Sequence, residues 1–231
     1  MDKAVLQKKI AGKGPDPGKI AESVIHAPQW IPALIAWMSA DTPALKYGSE
    51  KVLRIISEKR PDLVYPYFDS LATMLDCENS FLKWGAILCL ANLTRVDSAG
   101  KFEAIFDRYF RPISGPVMIT AGNIMRGSAR IALAKPHLAD RIAAEILKVE
   151  QAEYRTAECR NVAIGHAIDS FTLFYDLVRD RSCIIRFVKA QVGNPRPPVH
   201  RRAVKFLRER RIEFHPCDTI RQREGRAASG G

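Results

Sequence analysis

The sequence holds little that would mark a secreted, membrane-spanning or catalytic protein. Its five cysteines (77, 89, 159, 183 and 217) are odd in number and form no Cys-x-x-Cys pair. That argues against a disulfide framework or a structural zinc site and fits reduced thiols in a cytoplasmic protein. The longest apolar run, residues 31–38, is eight residues, far short of a membrane span. The first 18 residues alternate apolar side chains with lysines before turning Gly/Pro-rich, and contain no apolar stretch of signal-peptide length. Residues 11–19 look superficially like a phosphate loop, but Lys13 stands where the first glycine is needed and Ile20 follows Lys19. Two prolines there would also remove amide donors from the cradle, so the stretch reads as a linker or turn. No Gly-x-Ser-x-Gly elbow is present, and the histidines (26, 137, 166, 200 and 215) are dispersed. His166 reads as a helix-packing residue. No catalytic residue, metal site or cofactor is expected.

What the chain does have is apolar content and positive charge. Of its 231 residues 47% are hydrophobic and 26% charged, with a formal net charge of +11. The first figure suits a folded core and excludes wholesale disorder. The charge is unevenly placed: residues 1–180 carry a net +2 and residues 181–231 a net +9.

Apolar residues recur at helical spacing nearly throughout, and strand alternation is absent. Leu45, Ser49, Val52, Leu53 and Ile56 lie at i, i+4, i+7, i+8 and i+11, one face of a helix. Leu82, Ala86, Cys89, Leu90 and Leu93 repeat the spacing, as do Val199, Ala203, Phe206 and Leu207. Leu45-Lys46-Tyr47-Gly48-Ser49 also returns 37 residues later as Leu82-Lys83-Trp84-Gly85-Ala86, and Gly122 falls in the same column a further 37 on. A column of small residues therefore runs through Ser49, Ala86, Gly122/Asn123, Ala163 and Ala203, at intervals of 37 to 41. Such a period marks an array of stacked helical hairpins sharing one core. First helices are predicted over 30–39, 63–75, 102–110, 138–148 and 171–191, the last with a candidate break near Asp180. Second helices are predicted over 44–58, 81–94, 117–134, 157–170 and 199–211. The segment Ser114-Gly115-Pro116 reads as a turn between helices.

Asp41-Thr-Pro-Ala-Leu-Lys46 and Glu78-Asn-Ser-Phe-Leu-Lys83 resemble the opening of the second helix in the HEAT repeat family, Asp-x-Pro-x-hydrophobic-Arg/Lys. The resemblance implies an all-α fold, a right-handed α-solenoid of about five to six HEAT-like hairpins. It also implies that Asp41 with Lys46 and Glu78 with Lys83 belong to a ladder of charges between repeats. On this reading residues 1–28 are an N-terminal helical or linker segment, 29–212 the repeat domain, and 213–231 a basic polar tail. A more distant resemblance is to the HEAT-like DNA alkylation repair glycosylases, through residues 78–88 and Asn161-Val-Ala-Ile-Gly-His166. Two departures stand against glycosylase activity. Ala167-Ile168-Asp169 lacks the family's functional Arg, and Tyr67-Phe68-Asp69-Ser70-Leu71-Ala72 has Ala for its second acid.

Two surfaces are candidates for binding. Arg201, Lys205 and Arg208 lie at i, i+4 and i+7 on the last predicted helix, with Arg202, Arg210 and Arg211 widening the stripe and Arg221, Arg223 and Arg226 following in the tail. The proposed anion-binding set is Arg201, Arg202, Lys205, Arg208 and Arg211, which would attract nucleic-acid phosphate or an acidic protein. Tyr47 and Trp84 occupy equivalent repeat positions off the core stripe and are candidate contacts to a protein partner on the concave face. The expected function is a non-catalytic binding or scaffold protein with no membrane association. The alternative is a DNA-binding relative of the glycosylases which, if an enzyme, would release alkylated purines.

Overall fold

In the computed structural model, residues 2–214 apart from Lys13 and Pro15 are described, and among them the ordered segments are all helical, with no strand. The fold is all-α. The chain divides into two compact units with the boundary at Arg111/Pro112. The first holds α1 (Lys3–Ala11), α2 (Pro17–Ile25), α3 (Ile31–Trp37), α4 (Pro43–Lys59), α5 (Pro61–Val64), α6 (Phe68–Thr73), α7 (Ser80–Leu93) and α8 (Lys101–Phe110). The second holds α9 (Met118–Ala134), α10 (Ala139–Leu147), α11 (Ala157–Phe174), α12 (Ser182–Ala190) and α13 (Pro197–Glu209). The helices α1 and α2 pack on α4, so the expected division near residue 28 falls inside the first unit. Of the expected tail, residues 215–231 lie outside the described residues.

Local chemistry starts the helices where the periodicity begins. Proline opens α2, α4, α5 and α13, at a position whose N–H would have no intrahelical acceptor anyway. Asp16 Oδ1 accepts from Gly18 N at 2.8 Å, Asn79 Oδ1 from Phe81 N and Leu82 N at 3.1 and 3.2 Å, and Thr156 Oγ1 from Cys159 N at 3.1 Å. Each satisfies donors that the first helical turn leaves free. The five predicted second helices correspond to α4, α7, α9, α11 and α13.

Two predicted first helices are corrected. The stretch expected over 63–75 is broken into α5, a 3-10 turn at Tyr65–Tyr67 and α6, because Pro66 removes an amide donor from the middle of a continuous helix. Residues 171–174 do not open the last first helix; they finish α11. Ala163, Ala167, Phe171 and Phe174 are all buried and share one stripe at i, i+4, i+8 and i+11, which carries α11 onward. The next first helix, α12, begins only at Ser182, whose N–H is accepted by Asp180 Oδ1 at 3.0 Å.

The small-residue column lies where helices meet. Within the first unit α4 packs against α2 and α7, and within the second α11 packs against α9 and α13. Ser49, Ala86, Ala163 and Ala203 are all fully buried at these contacts. Ser49 differs in carrying a hydroxyl with no hydrogen-bond partner among the described residues. An unsatisfied buried hydroxyl costs free energy that a methyl does not. Ser49→Ala is therefore expected to raise unfolding stability by about 1 kcal/mol in chemical denaturation; a loss of stability would show that the hydroxyl has a partner after all.

Ion pairs join segments far apart in the sequence, but the pairing differs from the expected ladder. In the first unit Lys59 pairs with Glu22, Lys101 with Asp69 at 2.6 Å and Arg108 with Asp76 at 2.5 Å. In the second, Arg179 pairs with Asp140 at 2.5 Å, Arg196 with Glu158 at 2.9 Å and Arg202 with Asp169 at 3.1 Å. Asp41, Lys46, Glu78 and Lys83 form no ion pair among the described residues. Both acids stand in exposed positions ahead of their helices, and it is Asn79, not Glu78, that caps α7. At the start of the second unit Gly115 has φ +117° within the expected turn. A Cβ there would run into the Glu153 carbonyl oxygen, next to the Glu153 N–H bond to the Ser114 carbonyl at 3.0 Å.

Candidate binding surfaces

The terminal helix α13 buries Val199, Ala203, Phe206 and Leu207, leaving its other faces to charge. Arg201, Lys205, Arg208 and Arg211 are exposed, and Arg202 is half-buried. Arg201, Lys205 and Arg208 line one shallow depression of about 440 Å³ together with His200, Val204 and Glu209. Lys205 Nζ stands 3.7 Å from Glu209, whereas Arg201 and Arg208 form no ion pair among the described residues.

Arg202 and Arg210 are turned toward α11 instead. Arg202 Nε forms an ion pair with Asp169 of α11 at 3.1 Å. Arg210 lays its guanidinium 4.0 Å from the Phe206 ring centre and 4.8 Å from that of Tyr175, and donates to the Thr172 carbonyl at 2.9 Å. Its planar group covers aromatic surface while satisfying a backbone acceptor. Counting cations along the sequence could not separate these roles, because the separation depends on which face meets α11.

The glycines of the repeat act as windows for side chains from neighbouring helices. A Cβ on Gly48 would stand 2.7 Å from Ile10 Cγ2 and 2.9 Å from the Ile10 carbonyl oxygen, so α1 could not approach α4 as it does. At Gly85 the space is filled by the Glu50 side chain, at Gly122 by the His166 ring, and at Gly165 by the Arg202 guanidinium. Burial pushes the Glu50 carboxyl above its ordinary value, with the Arg54 guanidinium at 3.1 Å opposing the shift. Burial likewise lowers the His166 imidazole, and the nearby positive charges of Arg202, Arg126 and Arg196 act in the same direction against Asp169. The Asp169 carboxyl is raised by burial against the pull of Arg202.

In the first unit Tyr47 and Trp84 are linked through Phe81. Ring centres are 5.3 Å apart for Tyr47–Phe81 and 5.2 Å for Phe81–Trp84, with the planes inclined at 51° and 61°. Asn79 Nδ2 donates to the Tyr47 hydroxyl at 3.1 Å. Phe81 is 61% exposed, the most outward of the three, and was not singled out from the sequence because it lies beside the repeating columns. Its position three residues ahead of Trp84, on the same helical face, was the available signal.

The glycosylase-like stretch at residues 67–72 is occupied by structure. Phe68 is buried and Asp69 pairs with Lys101. Among the described residues no group of three or more His, Cys, Asp or Glu could hold a metal ion, and no helix is long and apolar enough to cross a membrane. Neither a known protein family nor any curated protein matches the chain.

Proposed function

We propose that the chain is a non-catalytic binding protein of the HEAT-like α-solenoid type, which holds a macromolecular partner on the exposed faces of its second helices. Its terminal helix α13 grips anionic surface, and nucleic-acid phosphate is the partner chemistry that fits it best. The observation carrying this reading is the outer face of α13, where Arg201, Lys205 and Arg208 stand exposed in one line with a single carboxylate, Glu209, among them. Seven residues of helix span about 10 Å, a length over which duplex DNA presents roughly six phosphate charges. Tyr47, Phe81 and Trp84 supply aromatic anchors of the kind that dominate contact with a protein partner.

Duplex DNA binding measured against salt tests the reading. Affinity should fall steeply with salt, and the Arg201→Ala/Lys205→Ala/Arg208→Ala variant should lose about 0.9 from the logarithmic slope for each phosphate contact removed. A flat profile, or an unaltered slope in the variant, takes nucleic acid off this face and leaves an acidic protein surface in its place. The same duplex carrying alkylated purines scores their release, and turnover there would replace the binding reading with the enzyme.

A further inference from the structure

The second unit also brings cationic side chains together away from the outer face of α13. His166 leaves α11 and lies across α9 at Gly122, where its Cδ2 is 3.2 Å from the place a Cβ would occupy. Arg126 stands one turn further along α9, exposed and without an ion pair among the described residues. From the other side Arg202 of α13 crosses α11 at Gly165, the residue next to His166. Its Nε forms an ion pair with Asp169 at 3.1 Å. The His166 ring has no hydrogen-bond partner among the described residues.

We propose that Arg126, His166 and Arg202 form a site for one phosphate group, the chemistry shared by a nucleic-acid backbone and by small phosphate monoesters. Two guanidinium groups can present paired N–H donors to phosphate oxygens, and a neutral imidazole adds a single N–H between them. Burial and the surrounding arginines favour that neutral form. The charges facing the ring are Arg126 from α9, Arg202 and Arg196 from α13 and the residue before it, and Asp169 from α11 itself. Glu158 offsets Arg196 at 2.9 Å and Asp169 offsets Arg202, so Arg126 supplies the charge that no acid neutralises. The two glycines make the arrangement possible, since a Cβ at Gly122 would crowd the imidazole and one at Gly165 would displace the guanidinium.

The test is an imidazole titration of the full chain by NMR, with inorganic phosphate added at constant ionic strength and His166 assigned through His166→Gln. A bound anion cancels part of the arginine field, so the His166 pKa should rise by about one unit. Arg126→Ala, an exposed substitution, should weaken the phosphate effect roughly tenfold. A short unmodified duplex that produces the same rise at lower phosphate concentration identifies the backbone as the source; a rise confined to phosphate and a nucleoside monophosphate identifies a small monoester. No rise with any of them, the same rise with chloride, or a rise undiminished in Arg126→Ala overturns the proposal. The outer-face variant of α13 should leave the His166 shift intact, so failure here and failure of the α13 reading give different results.

Discussion

Replacing Phe171 by Ala should destabilise the protein by about 3–5 kcal/mol, read as a shift in the chemical denaturation midpoint. The ring is fully buried, with ring centres of Phe174 and Phe187 at 5.7 and 5.9 Å. It therefore joins the end of α11 to α12. Truncation removes a large apolar side chain and leaves a hole that aromatic neighbours refill poorly, so the transfer and cavity contributions add. Leu173 offers the control. It is 64% exposed two residues away, and Leu173→Ala should change stability by less than about 0.5 kcal/mol. Equal effects from both substitutions would mean that the end of α11 is not seated as described.

Asp97→Ala should cost about 2–4 kcal/mol. The carboxylate is 6% exposed and serves three donors. Oδ1 accepts from the Tyr65 hydroxyl at 2.6 Å and from Lys101 N at 2.9 Å, and Oδ2 accepts from Phe102 N at 2.9 Å. One side chain thus starts α8 and ties it to the 3-10 turn after α5. Alanine leaves the two amides and the phenol without their acceptor. Asp97→Asn keeps one acceptor oxygen and should recover part of the loss. A second measurement is independent of stability. The Tyr65 phenol is pushed up to about 12, by burial first and then by its bond to Asp97, so a spectrophotometric tyrosine titration should show it falling in Asp97→Ala. An unchanged titration would mean that burial alone sets it.

The helices were legible in the sequence because their apolar stripes are long and regular. The longer helices show this best: Val199, Ala203, Phe206 and Leu207 mark the buried side of α13 without reference to any neighbour. Short first helices carried too few turns for the same pattern, and Pro66 within one of them was the cue to its break. The boundary between α11 and α12 was misplaced because Phe171 and Phe174 are equally apolar on either assignment, and only packing decides between them. Surface roles were harder to read. Arg201 and Arg210 are alike as sequence, yet one stands free on the outer face and the other lies on Phe206. The long-range ion pairs were hidden for a related reason, since Asp140 meets Arg179 and Glu158 meets Arg196 across stretches that no local motif connects. The glycine column at residues 48, 85 and 122 was visible, but not the side chains that would fill each window.

Those windows tie each glycine's tolerance for substitution to a residue of another helix. A Cβ at Gly165 is obstructed while the Arg202 guanidinium lies across it, and a Cβ at residue 122 would press on the His166 ring at 3.2 Å. Neither member of a pair can change freely without altering what its counterpart accepts, so their effects on folding should be non-additive. Shortening Arg202 would relax the constraint at Gly165, whereas adding a methyl at Gly165 alone would not be neutral. In a lineage of such chains the heritable unit at these points is the pair, and the order in which its two members mutate decides which intermediates fold.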